Sequence, residues 1–134
     1  MASSPQEQNK KLVRKAFRPW EDGNSAPFFD LIADDVVWNV IGKSPVSGLY
    51  HSKREIIDKA FGPLLDRLDG PLKTTFIDLA AEGERVFLRF ESKGITKNGI
   101  HYDQAYCFAM LMRDDRIVEI VAYLDTDLLT RVFA

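Results

Sequence analysis

The sequence predicts an α+β fold, helices gathered in the first half of one domain and long antiparallel strands in the second. Apolar residues recur at helical spacing as far as Leu68, apart from one short strand; from Lys73 onward they fall in long runs punctuated by turn signals. The resulting order, ααβαββββ, separates helices from strands, as α+β folds do and doubly wound parallel sheets do not. At 134 residues, with 46% hydrophobic and 28% charged side chains, the chain is one domain over 1–134. That size allows a single core or a pocket of modest volume.

Each element has its own signature. Leu12, Val13, Ala16, Phe17 and Trp20 share one helical face. Ser3 or Ser4 with Pro5 would start this helix and Gly23-Asn24 would stop it, with residues 1–8 expected as a flexible start. A short helix is predicted over residues 26–32, capped by Ser25 with Pro27 in its first turn. A strand follows at 36–41, with Val36, Trp38 and Val40 in phase. Ser52 then caps a helix carrying Ile56, Ile57, Ala60 and Phe61 on one side. Gly62-Pro63 must kink or restart that helix, because proline lacks the N–H and its ring clashes with the preceding turn. Leu64, Leu65 and Leu68 continue the stripe to Asp69-Gly70-Pro71.

Strands are predicted at 73–81, 85–93, 102–113 and 116–125, forming a meander. The separators are Glu82-Gly83-Glu84, Lys97-Asn98-Gly99 and Arg113-Asp114-Asp115; Asn-Gly is a strong hairpin signal. The 102–113 segment is apolar on both faces. One face carries Tyr102, Gln104, Tyr106, Phe108 and Met110, and the other Asp103, Ala105, Cys107, Ala109 and Leu111. Both faces therefore need cover. Helices cover the first; a second copy of the chain, approaching over Ala105, Cys107 and Ala109, is expected on the second.

Several function classes are excluded. A net charge of −2 gives no electrostatic case for nucleic acid or an anionic membrane, and Lys10, Lys11, Arg14 and Lys15 read as the solvated face of the first helix. His51, His101 and Cys107 make no zinc site at a familiar spacing. Glycine-rich phosphate loops, a Rossmann fingerprint and a G-x-S-x-G elbow are all missing. One cysteine permits no internal disulfide. Without an apolar signal region or membrane-length run, a cytoplasmic protein is expected.

Residues 33–50, reading ADDVVWNVIGKSPVSGLY, and residues 117–126, reading IVEIVAYLDT, resemble the SnoaL-like branch of the nuclear transport factor 2-like superfamily, whose members include ketosteroid isomerases. The resemblance covers most of residues 10–130. It implies a cone: a curved mixed or antiparallel sheet wrapped around N-terminal helices, a cystatin-like roll whose mouth holds a small apolar molecule. No cofactor is implied. Any chemistry would be acid–base isomerisation or cyclisation of the polyketide-cyclase kind.

Against the ketosteroid isomerases the chain departs at every acid. Val40 stands where the general base would, Phe17 where the first-helix tyrosine would, and Phe108 where the protonated aspartic acid would. Limonene-epoxide hydrolases use an Asp-Arg-Asp relay. Arg89 or Arg113 would have to supply its arginine, and its last acid is replaced by Ala122, ahead of Tyr123-Leu124-Asp125.

Strand periodicity places Trp38, Gln104, Tyr106 and Phe108 on one concave side, with Phe17 and Phe61 above them and Tyr50 at the mouth. These seven residues are the expected ligand contacts. Trp38 serves core packing or cavity lining; Gln104, if inward, is tied to backbone or aimed at a ligand. His51 is expected on an exposed loop. Asp125 is better placed as an N-cap than as a catalytic acid. Arg89 and Glu91 are expected to face solvent or an interface. Three functions fit: a cofactor-free isomerase or cyclase, a non-catalytic binding protein with the same pocket, and an interaction module with a closed core. An inward carboxylate or histidine would favour the first, and a roomy pocket with tyrosine hydroxyls the second.

Overall fold

The computed structural model describes residues 4–134. Of the expected flexible start, residues 1–3 lie outside the described residues, and Pro5 to Gln8 already form the first turn of α1 (Pro5–Phe17). Ser4 caps it: its Oγ accepts from the Glu7 amide at 3.2 Å. Asn9, Val13 and Phe17 turn inward. A 3₁₀ segment over Arg18–Asp22 buries Trp20 and closes on Gly23, whose φ of 92° suits glycine. Helix α2 (Ala26–Leu31) follows. Ser25 stands at the N-cap position as expected, but its side chain makes no capping bond; the Asn24 side-chain oxygen accepts from the Ala26 amide instead.

Strand β1 (Ile32–Val40) starts four residues earlier than predicted, and its parallel pairing with the last strand shifts register between Ile32 and Val37. The chain then folds back through β2 (Gly48–Tyr50), which pairs antiparallel with β1 and puts Tyr50 opposite Trp38. The sequence predicts no strand here. Only three residues pair, too few to show periodicity.

Three consecutive segments follow: α3 (Lys53–Ile56), a π-helical turn over Ile57–Phe61, and α4 (Gly62–Asp66). The wide turn takes up the break that Pro63 enforces. Gly62 donates its N–H to Ile57 O, and a Cβ there would sit 2.8 Å from that same oxygen. Leu64 and Leu68 are buried, whereas Leu65, expected on the same stripe, is exposed; the extra residue in the π turn rotates it outward.

The meander is β3 (Lys73–Glu82), β4 (Arg85–Lys93), β5 (Gln104–Arg113) and β6 (Arg116–Leu124). Asp114 and Asp115 both take positive φ in the β5–β6 turn, the geometry of a tight hairpin. Helix α5 (Thr126–Val132) ends the chain, capped by Asp125. The six strands form one curved mixed sheet in the order β2-β1-β6-β5-β4-β3, every pair antiparallel except β1 with β6. Helices lie against one face only. The alternation is plainest in β4, where Val86, Leu88, Phe90 and Ser92 are buried and Arg85, Phe87, Arg89 and Glu91 are exposed.

Candidate functional site

The concave face of the sheet and the helices above it do not close completely. A cavity of about 80 Å³, open to solvent at one end, remains between them. Its wall draws on nearly every element: Trp20 and Phe29 from the first helical layer, Trp38 and Val40 from β1, and Phe61 and Leu64 from the broken helix. Phe90, Tyr106, Phe108, Ala122 and Leu124 come from the central strands, and Leu129 and Phe133 from α5 and its end. Fused aromatic contacts make this wall stiff. Trp38 stacks on Phe29 and meets Phe108 edge-on at 5.5 Å, while Tyr106 lies flat on Phe90 with ring centres 4.6 Å apart.

Four of the seven expected contacts line the cavity: Trp38, Phe61, Tyr106 and Phe108. The other three have different positions. Phe17 is fully buried behind the wall, its ring against Trp20, Phe28, Phe76 and Phe90. Tyr50 is buried rather than standing at the mouth, and its hydroxyl donates to the Val46 carbonyl at 2.7 Å. Burial, and secondarily the charge of Glu55, raise its pKa. It holds the 41–47 loop, which supplies Val46 to the wall. Ser47 braces that loop by donating to Ile41 O, and Gly42 lets it close on Thr126, where a Cβ would come within 2.7 Å.

Gln104 is 2% exposed, lies beside the Tyr102 hydroxyl and is tied mainly to backbone. Its Nε2 donates to Asp125 O at 3.0 Å, and its Oε1 accepts from the Asp125 and Ala105 amides at 2.8 and 3.1 Å. It clamps the start of β5 to the start of α5 and does not line the cavity. Tyr102 takes its place there, a residue seen on the right face of the strand but not singled out. It is fully buried, and its hydroxyl lies 2.6 Å from that of Tyr106. Burial pushes both phenols upward, Tyr106 well above its usual value. The Tyr102 charge adds to that rise, while hydrogen bonding from Tyr106 partly offsets the rise at Tyr102. Both are neutral hydroxyls at physiological pH.

The chemistry of the wall is therefore narrow. Among the described residues, none that lines it carries a carboxylate, ammonium or imidazole group. Val40 and Phe108, two of the positions where steroid isomerases would carry acids, face the cavity as apolar side chains. Asp125 is exposed, its Oδ1 accepting from the Asp127 and Leu128 amides as an N-cap, and His51 is exposed on its loop. Arg89 forms a two-pronged ion pair with Asp78 on the outer face, at 2.8 and 2.7 Å. Among the described residues no group of three or more His, Cys, Asp or Glu is placed to hold a metal ion. No helix among them is long and apolar enough to cross a membrane.

Solved structures share this architecture. Bal32a, from a soil-derived mobile gene cassette, superposes with a TM-score of 0.78 at 18% identity, over 97% of this chain and 98% of its own. A nuclear transport factor 2-like protein from Burkholderia thailandensis reaches 0.79 at 20% identity, over 94% and 97%. TerC, co-crystallised with polyporic acid, reaches 0.76 at 16% identity, over 98% and 100%. At these identities the likeness is one of fold. No curated protein matches the chain. A family model described as a SnoaL-like domain matches residues 13–120, which takes in the broken helix, β1 to β5 and the first half of β6. The chain belongs to the SnoaL-like domain family.

Proposed function

We propose that the protein binds a compact apolar organic molecule in the cone cavity and acts as a binding protein. The observation that carries this reading is the wall itself: aromatic and aliphatic side chains, two neutral tyrosine hydroxyls, and no group able to serve as a general base near neutral pH. Ligand sites combine apolar walls with a few placed polar groups in this way. Proton-transfer catalysis gains typically two to four orders of magnitude from a positioned acid or base, and this wall offers none. Family membership supports the alternative, a cofactor-free isomerase or cyclase of the polyketide-cyclase kind. That reading needs a base from outside the present wall.

Native mass spectrometry of freshly purified protein tests the proposal. A co-purified organic mass, released on denaturation and exchangeable for added apolar compounds, is the expected result. Protein at the bare polypeptide mass that binds none of a panel of small aromatic and terpenoid compounds would overturn it.

The same proposal includes assembly as a homodimer through the outer sheet face. Phe87 and Tyr123, 39% and 49% exposed, lie there around Ala105, Cys107, Ala109 and Val121. Exposed aromatics clustered on small residues mark an association surface.

A further inference from the structure

The polar end of the cavity carries more information than its apolar wall. Tyr102 precedes β5 and Tyr106 lies within it, yet their hydroxyl oxygens are 2.6 Å apart. Each phenol has one hydrogen to donate. Their mutual bond uses one, so one O–H remains unspent. Its surroundings offer little relief. Gln104 lies beside Tyr102, but its Oε1 already accepts from the Ala105 and Asp125 amides and so takes no further hydrogen. The buried Ser92 hydroxyl, on β4 beside Tyr106, can accept from it but brings a hydrogen of its own and is otherwise without a partner, so the three hydroxyls still hold one hydrogen more than they can spend on each other. A buried donor without an acceptor is costly, whereas a spare lone pair costs less. What such a site lacks is an acceptor.

We infer that the Tyr102–Tyr106 pair is a hydrogen-bond anchor that selects, among apolar molecules of similar shape, those carrying one carbonyl oxygen. The inference rests on the cavity-binding reading and names the ligand class within it. A carbonyl supplies acceptor lone pairs and brings no hydrogen of its own, so it satisfies the unspent O–H without creating another buried donor. A flat skeleton would sit against Phe90 and Phe108, which meet edge to face at 5.0 Å beside the pair.

Three bicyclic probes separate the possibilities: indane, 1-indanone and 1-indanol. They share a skeleton and differ at one oxygen. Binding is read by quenching of Trp20 and Trp38, both in the cavity wall. Wild-type protein is expected to bind indanone more tightly than indane, although indane is the more hydrophobic. The double variant Tyr102→Phe/Tyr106→Phe removes both hydroxyls, keeps the rings, and is expected to weaken indanone about five-fold or more while changing indane far less. Tyr106→Phe and Tyr102→Phe alone each leave one O–H unspent, so each is expected to lose less than the pair, and they provide the second test should the double variant fold poorly. Circular dichroism and melting curves of all three check that the fold is retained. Indane binding equal to indanone in wild type, or equal losses for both probes in the variants, would overturn the anchor and leave the cavity reading standing. Indanol binding more tightly than indanone would overturn the assignment to carbonyls. Failure of wild type to bind any of the three would overturn anchor and cavity reading together.

Discussion

Single side chains decide what this cavity can do, and Tyr102, Tyr106 and Phe108 decide most. Burial raises the pKa of both tyrosines above the usual 10.0, so the folded state keeps protons that the unfolded chain releases. Their contribution to stability is therefore complete below about pH 10 and is lost as pH climbs toward the folded-state values. Urea denaturation at stepped pH should show a plateau through neutral pH and a decline above about 10. The double variant Tyr102→Phe/Tyr106→Phe should decline less steeply. Tyr50, shifted in the same direction, keeps some of the slope. An identical decline in the double variant would place the loss elsewhere.

Phe108 touches four aromatic rings, those of Phe28, Trp38, Phe90 and Tyr106, and also borders the cavity. Phe108→Ala should cost about 3 kcal/mol, the low end for such truncations, because one side of the ring already faces space. It should also shift preference toward bulkier ligands. Thermal melts with and without a panel of apolar compounds read both effects. Much of this scale was legible in the sequence: period-two alternation put Trp38, Tyr106 and Phe108 on one face. Gln104 shares that face, but its destination was not legible, since the amide's partners lie on the segment that starts α5.

At the scale of elements, the segment from Lys53 to Asp66 shows a local rule and its structural resolution together. Proline inside a helical pattern demanded a break, and the chain supplies a single π turn rather than a loop, so the apolar stripe continues to Leu64. Gly62→Ala should destabilise the protein by about 1–3 kcal/mol, because its Cβ would press on Ile57 O and that carbonyl cannot retreat without opening the turn. Chemical denaturation with unchanged slope is the expected signature. A neutral or stabilising outcome, as alanine normally gives in a helix, would show that the π turn relaxes freely. Strand β2 escaped notice in the sequence because a three-residue strand carries no periodicity. Its existence depends on Tyr50 meeting Trp38 across the β1–β2 pair.

For the whole molecule the open question is what covers the outer sheet face. A dimer should scatter light at about twice 15.3 kDa at micromolar concentration. Ala109→Arg, set between Phe87 and Val121, should convert it to monomer with the helical layer untouched, because charge at the centre of an interface resists desolvation. A wild-type monomer would refute the pairing. Thiol labelling of Cys107 gives a second readout, and quick labelling in a wild-type monomer would count against the pairing as well.

The sequence by itself determined the class of fold, the place of most strands and turns, the inward alternation and the lack of steroid-isomerase acids. All of these are local properties, set by side-chain period, turn geometry and residue type. Tertiary structure alone decided that β1 runs parallel to β6, that Trp20, Phe29, Leu129 and Phe133 join the wall, and that Phe17 and Tyr50 stand behind it. It also decided that two tyrosines four positions apart meet at their hydroxyls. On a straight strand their Cα atoms would be about 13 Å apart and their side chains parallel. They converge because Tyr102 lies just before β5, where the chain is held by Gly94 O on one side and by the Gln104 clamp on the other. Curvature and long-range hydrogen bonds set that meeting, and neither is written in the spacing of residues along the chain.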